Sequence, residues 1–460
     1  MLALFVTLFF SVYMFSLVYL ILKYPETRWS WDKKREKIKL PDSFIWGTAT
    51  ASHQVEGGCT NNNWFKWESC KDKGGKPRIK DGQEAGDACN HWNLYKEDIE
   101  LIKDLGVNHY RFSLEWSKIE PTRGSYSQSA LDHYSNVIDE LIKSDVVPVL
   151  TLHHFTNPIW FDDLGGFEVE DNIEIFESFS EKVFSEFSDR VKIWCTINEP
   201  AVYSVMGYFQ GVFPPGRKNP QLATEVMKNL LVAHTRVYSK LKALPNGESS
   251  RIGLVKNIMQ FDPYRRWNLM DWMACRISSS IYNEITLSYL NDGEISVNYP
   301  GFVSLKYTGK EAAGKTDFFG LNYYSHVHLK FKINGTDFFE NKYLESDTMT
   351  DMPYAIYPEG LYRAIKLVET LDKPIIITEN GIADDKDDRR ELFIERYIYA
   401  MGRAIKEGSK VEGYFYWSLM DNFEWAEGYD MKFGLYSVDF KTQKRKLRRG
   451  SKAFVDLVKS

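Results

Sequence analysis

Two glutamates follow apolar, β-branched runs that lie far apart in the chain. Glu199 lies in the stretch TINEP at 196–200, and Glu379 lies in TENG at 378–381. Paired carboxyl groups can cleave a glycosidic bond, because one protonates the leaving oxygen while the other serves as nucleophile or as base for water. Either glutamate could instead cap a helix or pair with a buried arginine. The two form a chemical pair only if the fold brings them together.

Eight short apolar runs, rich in β-branched and aromatic residues, recur along the chain. They occupy 44–51, 107–114, 146–154, 191–199, 251–258, 317–325, 374–380 and 411–419. Such near-continuous apolar runs predict strands that are buried on both faces of a parallel sheet. Amphipathic stretches between them, at 95–106, 129–145 and 173–189, predict helices. The alternation predicts an α/β protein with a single (β/α)8 TIM barrel.

A barrel would bring the polar residues at the strand ends to one rim. Among these residues are Gln54, Arg111, His154, Asn198, Glu199, Asn322, Tyr324, Glu379, Trp417, Glu424 and Trp425. Carboxylates, amides and aromatic faces together suit a neutral, polyhydroxylated ligand such as a sugar. In that setting Arg111 would keep Glu379 ionised as nucleophile, and the charge on Glu379 would raise the pKa of Glu199, the acid and base. The sequence implies no metal and no organic cofactor.

Composition excludes some classes of protein. The chain has 460 residues, a formal net charge of −5 and no basic stripe outside its N-terminal region, so it does not resemble a nucleic-acid-binding protein. The five cysteines, Cys59, Cys70, Cys89, Cys195 and Cys275, form no Cys-x-x-Cys pair. They predict free thiols in a reducing compartment. One sequon, at Asn334, is weak evidence for glycosylation.

The N-terminal 22 residues carry no charge and would span roughly 33 Å as a helix, enough to cross a bilayer core. No basic residue precedes this run and no small-residue cleavage site follows it, which favours an uncleaved transmembrane helix over a signal peptide. Residues 23–40 form a basic juxtamembrane linker, and 41–460 form the catalytic domain. The positive-inside rule places that domain in the cytosol. Cleavage of the N-terminus would instead give a luminal or secreted protein.

From Phe44 to Phe454 the sequence resembles glycoside hydrolase family 1, the β-glucosidase-like retaining β-glycosidases. The resemblance rests on seven ordered motifs: FIWGTATASHQVEGG, YRFSLEWSKIEP, TLHHFTNPIWF, TINEP, DFFGLNYYSH, ITENGIA and YWSLMDNFEWAEGYDMKFGLYSVD. It implies a (β/α)8 barrel that hydrolyses a terminal β-D-glucosyl residue by double displacement. It also implies Glu199 as acid/base and Glu379 as nucleophile.

The resemblance also assigns residues to the sugar. Those that match the positions holding sugar hydroxyls are Gln54, His154, Asn198, Glu424 and Trp425, while Trp417 matches the platform beneath the ring. Asn322, Tyr324 and Arg111 match the residues around the nucleophile. Phe155 departs from the pattern, because many members have tryptophan there. The choice among glucose, galactose and fucose stays open.

The apolar N-terminus is not part of the family pattern. A membrane-tethered hydrolase would be well placed to meet amphiphilic β-glycosides, such as glucosylated lipids or sterols, so the substrate is predicted to be a small β-glycoside and possibly a glycolipid. Two alternatives stay open. One is a tethered transglycosylase with a lipid or sugar acceptor, and the other is a non-catalytic sugar-binding receptor.

Overall fold

The computed structural model describes residues 1–31, 40–309, 311–324, 326–334 and 337–459. Most of the predicted basic linker, 32–39, lies outside these residues, and so do two positions of the sequon at Asn334.

Eight parallel strands close into a barrel in the order in which they occur along the chain. They are β1 Ile45–Ala49, β2 His109–Ser113, β3 Val147–His153, β4 Ile193–Asn198, β5 Arg251–Asn257, β6 Phe318–Asn322, β7 Ile375–Asn380 and β8 Val411–Trp417. The barrel closes where Ile45 of β1 pairs with Gly413 of β8. Each strand falls within one of the eight apolar runs, which confirms the predicted (β/α)8 barrel.

Within the described residues, ten longer helices accompany the barrel. They are α1 Leu2–Lys23, α2 His91–Leu105, α3 Gln128–Lys143, α4 Ile173–Phe187, α5 Pro220–Lys242, α6 Leu269–Ser279, α7 Ile285–Asp292, α8 Pro358–Val368, α9 Arg390–Lys406 and α10 Lys452–Val458. Helix α2 ends as predicted at Gly106, whose φ of 81° is disfavoured for other residues. Side chains of Ser127 and Asn219 accept backbone N–H bonds at the N-termini of α3 and α5.

Smaller elements are inserted after the strands. Beside the barrel lie a three-stranded sheet of Gln260–Pro263, His326–Asn334 and Asp337–Lys342, a hairpin of Glu294–Tyr299 and Val303–Thr308, and a hairpin of Tyr436–Asp439 and Lys444–Leu447. Short helices lie at Ser52–Val55, Asn63–Glu68, Lys80–Gly82, Trp116–Ile119, Ile159–Asp163, Gly166–Glu168, Glu170–Asn172, Pro200–Ser204, Val205–Gln210, Ser280–Glu284, Glu369–Leu371 and Trp425–Glu427.

Helix α1 contacts the domain with only part of its length. Within the described ranges, its stretch Leu4–Lys23 is the one helix long and apolar enough to cross a membrane. Residues 4–12 are exposed on every side. From Tyr13 onward a stripe at helical spacing, including the buried Leu17 and the half-buried Leu20, faces the domain.

The segment that follows α1 is docked on the domain. Glu26 forms an ion pair with Arg266 at 3.2 Å, and its other carboxylate oxygen lies 3.2 Å from His328 Nε2. The backbone N–H of Trp29 donates to Glu359 at 2.7 Å, and its ring packs against that of Tyr362 with centroids 5.4 Å apart. Residues 24–31 therefore form part of the domain surface rather than a free chain.

Candidate active site

The predicted site residues meet at the C-terminal rim of the barrel, in a cavity of about 770 Å³. Those that line it are His154, Glu199, Tyr324, Glu379, Trp417, Glu424 and Trp425. The remaining four, Gln54, Arg111, Asn198 and Asn322, are buried and hydrogen-bonded to lining residues. The structure thus brings together all eleven side chains.

Glu379, near the end of β7, is held by two donors. Arg111 Nη1 donates to Glu379 Oε1 at 2.6 Å, and Tyr324 Oη donates to Oε2 at 2.7 Å. Arg111 is buried on β2, and its other nitrogens bond to Asn198 Oδ1 at 2.8 Å and Thr151 Oγ1 at 3.0 Å. A charge-assisted bond of this length balances the buried carboxylate and fixes its orientation.

Glu199 lies just past the end of β4 in a different environment. Its φ of 49° is in the left-handed region, which a non-glycine residue adopts at a cost in free energy. Its backbone N–H donates to the Val255 carbonyl at 2.9 Å, and its carboxyl group accepts a bond from Asn322 Nδ2 at 2.9 Å. Burial, reinforced by the charge of Glu379, raises the pKa of Glu199 to about 8. Glu199 therefore carries a proton at neutral pH.

Two asparagines connect the carboxyl groups. Asn322 Nδ2 also lies 3.2 Å from Asn198 Oδ1, and Asn198 Nδ2 lies 3.0 Å from His154 Nε2. Thr378 Oγ1 donates to Asn322 Oδ1 at 2.6 Å. Burial lowers the pKa of His154 well below its usual value, so the ring is neutral and can accept the Asn198 bond. The network restricts movement of both glutamates.

The opposite wall combines a carboxyl group with aromatic rings. Gln54 Nε2 donates to Glu424 Oε2 at 3.1 Å, and burial raises the pKa of Glu424 to about 8. The rings of Trp417 and His154 stack with centroids 5.8 Å apart. Phe155 packs edge-on against Trp425 at 5.2 Å, so the departure from tryptophan at this position leaves an aromatic contact behind the site.

Lys256 of β5 is a neighbour of the site that the sequence analysis missed. It is fully buried, its ammonium donates to the Asn257 carbonyl, and it lies 4.2 Å from the ring centroid of Tyr282. Burial lowers the pKa of Lys256 to about 7, an effect that the negative charge of Glu199 opposes. A lysine inside the apolar run RIGLVKNI was the available signal.

The other half of the cavity is apolar and was also missed. Its lining includes Val205, Met206, Phe209, Val212, Phe213, Met227, Met259, Phe261, Ile277, Ile281 and Phe302. These side chains come from the short helices after β4 and after α6, from α5 and α6, from the inserted strand Gln260–Pro263 and from the loops between these elements. No single run of sequence contains them, so no motif could identify them as one wall.

The arrangement can perform acid–base chemistry on a neutral ligand. A carboxylate paired with Arg111 and a protonated carboxyl group face one cavity, which meets the requirement of glycosidic bond cleavage for one nucleophile or base and one acid.

Comparisons with known proteins agree with this geometry. Residues 36–460 match the model of glycosyl hydrolase family 1. Beta-glucosidase A of Thermotoga maritima is 34% identical over 92% of this chain and 98% of its own. The cytosolic beta-glucosidase of Homo sapiens is 32% identical over 89% of this chain and 95% of its own.

Solved structures give the same result. A beta-glycosidase from Pyrococcus horikoshii superposes with a TM-score of 0.82 at 36% identity, covering 92% of this chain and 95% of that one. The Thermotoga maritima beta-glucosidase in complex with glucoimidazole gives 0.84 at 33% identity, covering 92% and 99%. With the family match spanning nearly the whole chain, this protein belongs to glycosyl hydrolase family 1 and is an O-glycosyl hydrolase.

Proposed function

We propose that the protein is a retaining β-glucosidase that acts by double displacement. The observation that carries this proposal is the unequal treatment of two carboxyl groups in one cavity. Glu379 is held by Arg111 and Tyr324, while burial and the charge of Glu379 keep Glu199 protonated. One group is thereby prepared to attack and the other to donate a proton.

The reaction then follows from these two states. A Glu379 oxygen forms a bond to the anomeric carbon as the bond to the leaving oxygen breaks, and the Glu199 proton passes to that oxygen. The ester removes the charge of Glu379, which lowers the pKa of Glu199. The Glu199 carboxylate then takes a proton from water as the water oxygen attacks the anomeric carbon. Glu379 is released, and the anomeric configuration is retained.

The sugar would be held by the polar half of the cavity. Gln54 and Glu424 are hydrogen-bonded side by side and could each bond a sugar hydroxyl. Trp417 would form the platform beneath the ring, with Trp425, His154 and Asn198 around it. The names of the Thermotoga maritima and human relatives, both beta-glucosidases, support glucose as the preferred sugar.

The aglycone is proposed to be hydrophobic, as in a glucosylated lipid or sterol. The apolar half of the cavity adjoins Glu199, so the group leaving with the protonated oxygen would enter it. Each buried CH₂ group contributes about 0.8 kcal/mol to binding in such surroundings. An alkyl chain would therefore strengthen transition-state binding more than a second sugar would.

The N-terminus is proposed to be a retained membrane anchor, with residues 1–22 crossing the bilayer and the domain from about residue 41 in the cytosol. The docked contacts of Glu26 and Trp29 give the segment after α1 a structural role, which a removed signal peptide and its flank would not need. All five cysteines are free, which supports a reducing compartment.

The decisive experiment is to trap the covalent intermediate. Full-length protein in detergent is incubated with a 2-deoxy-2-fluoro β-glucoside that carries a good leaving group, and the labelled peptide is mapped by mass spectrometry. We expect the label on Glu379. A label on another carboxylate, or turnover without a trapped ester, would refute the double displacement through Glu379.

A further inference from the structure

Helix α6 exposes an apolar surface beside α1. Trp267 lies just before α6 and is 65% exposed, while Met270 and Met273, three residues apart on α6, are 39% and 45% exposed. A neighbouring tyrosine, Tyr264, is exposed as well. Large apolar side chains grouped in this way mark a surface with a partner. We call Trp267, Met270 and Met273 the α6 face.

The α6 face is continuous with the membrane helix. Tyr13 in the middle of α1 donates a hydrogen bond to the Trp267 carbonyl oxygen. At the other end of α1, the guanidinium of Arg276 lies 4.2 Å from the ring centroid of Tyr24. The residues just before α6 and the C-terminal part of α6 therefore both lie against the C-terminal half of α1.

This contact sets the depth of α6 if α1 spans a bilayer. Tyr13 lies ten residues before Lys23, which corresponds to about 15 Å along the helix, or half of a hydrocarbon core of about 30 Å. Helix tilt reduces this depth. If the domain is docked on that half of α1, the exposed side chains beside α1 must take the place of lipid there.

We infer that the α6 face is embedded in the bilayer leaflet next to the domain, so that a lipid surface is its partner. The inference rests on the proposed anchor role of α1. The charges beside the face are compensated, because Arg266 and Arg276 flank it and pair with Glu26 and Glu284. Tryptophan is enriched where membrane proteins enter the interface, and long cationic side chains extend from the lipid toward water.

The placement brings the active-site cavity close to lipid. Ile277 and Ile281, at the C-terminal end of α6 and just after it, line the apolar half of that cavity. One helix thus separates leaflet lipid from the proposed aglycone site. An amphiphilic glucoside could enter from the leaflet while its sugar stays at the headgroup level.

The test measures the depth of single nitroxide labels on full-length protein in phosphatidylcholine vesicles. A Cys70→Ser background is used, since the other four cysteines are buried. Labels are placed at Met270→Cys and Met273→Cys. The matched control is Ile142→Cys on α3, which is 42% exposed and lies away from α1. Leu8→Cys in the exposed half of α1 reports on the anchor alone.

For each label we compare the accessibility of the nitroxide to dissolved oxygen with its accessibility to a water-soluble nickel chelate. We expect this oxygen-to-nickel ratio to be about threefold or more higher for the labels on α6 than for the Ile142 label. If the Leu8 label is buried in lipid but the α6 labels are as accessible to the nickel chelate as the Ile142 label, the inference is overturned and the anchor stands. A water-exposed Leu8 label would refute both. Spin–spin broadening between the Met273 labels of two copies would identify a subunit interface and also overturn it. Turnover of a soluble aryl β-glucoside separately reports the proposed activity.

Discussion

The polar and apolar halves of the cavity are built in different ways. The polar half comes from the ends of the barrel strands, and nearly every side chain in it has a fixed hydrogen-bond partner, as Glu379 has in Arg111 and Tyr324. The apolar half comes from helices and insertions outside the barrel, with Met206 and Ile281 as examples, and is held by packing alone. The barrel thus fixes the chemistry, and the additions determine what can be attached to the sugar.

The largest effect should follow removal of the nucleophile from the polar half. Glu379→Ala is expected to lower kcat/KM for an aryl β-glucoside by roughly 10³-fold or more, because no ester can form. Azide should occupy the vacated space and attack the anomeric carbon directly, which restores part of the rate and gives the inverted glycosyl azide. The measurements are steady-state kinetics and NMR of the product anomer.

Glu391→Ala on the exposed face of α9 serves as the control and should leave kcat/KM unchanged. Wild-type activity of the Glu379 variant on a poor leaving group would show that another residue attacks.

Removal of the acid should separate substrates by their leaving groups. Glu199→Ala is expected to lower kcat/KM for an alkyl β-glucoside by about 10²- to 10⁴-fold, the usual contribution of a general acid. A dinitrophenyl β-glucoside needs little protonation and should lose far less in this first step. An equal loss for both substrates would contradict the assignment of Glu199 as the acid.

The pH dependence tests the same group. The pKa of Glu199 is raised to about 8, so the acid form predominates below that pH and is lost above it. With an alkyl glucoside, kcat/KM of the wild type should fall as pH rises through about 8. A profile that keeps rising through pH 9 would exclude Glu199 as the proton donor in this reaction.

The two halves also differ in how far the sequence could predict them. The eight apolar runs predicted the strands, because burial on both faces leaves a pattern in consecutive residues. The predicted strand positions place Arg111 and Glu379 on one rim, and in the structure Arg111 Nη1 lies 2.6 Å from Glu379 Oε1. The apolar wall could not be found in this way, since Met206, Met259 and Ile281 are ordinary core residues until loop geometry brings them together.

A smaller effect is expected from the apolar half. Ile281→Asn introduces an amide where an alkyl chain would bind. The ratio of kcat/KM for octyl over methyl β-glucoside should therefore fall by about fourfold for each CH₂ group that the altered wall no longer shields from water. Ile142→Asn outside the cavity is the control. An unchanged ratio would show that the alkyl chain does not bind along Ile281.

The smallest effect should come from Lys256. Its ammonium lies against the ring of Tyr282, and its charge acts on Glu199. The positive charge of Lys256 lowers the pKa of Glu199, in opposition to burial. Because burial lowers the pKa of Lys256 to about 7, only a minor part of that charge remains at pH 8. Lys256→Met should therefore move the basic limb of kcat/KM to higher pH by well under one unit. Lys256→Arg stays fully charged through pH 8 and should move the limb to lower pH, whereas Lys240→Met on the exposed side of α5 should not move it. A merely structural role for Lys256 would lower activity at all pH values without moving the limb. A shifted limb would therefore show that the fifth strand contributes charge as well as shape to the site.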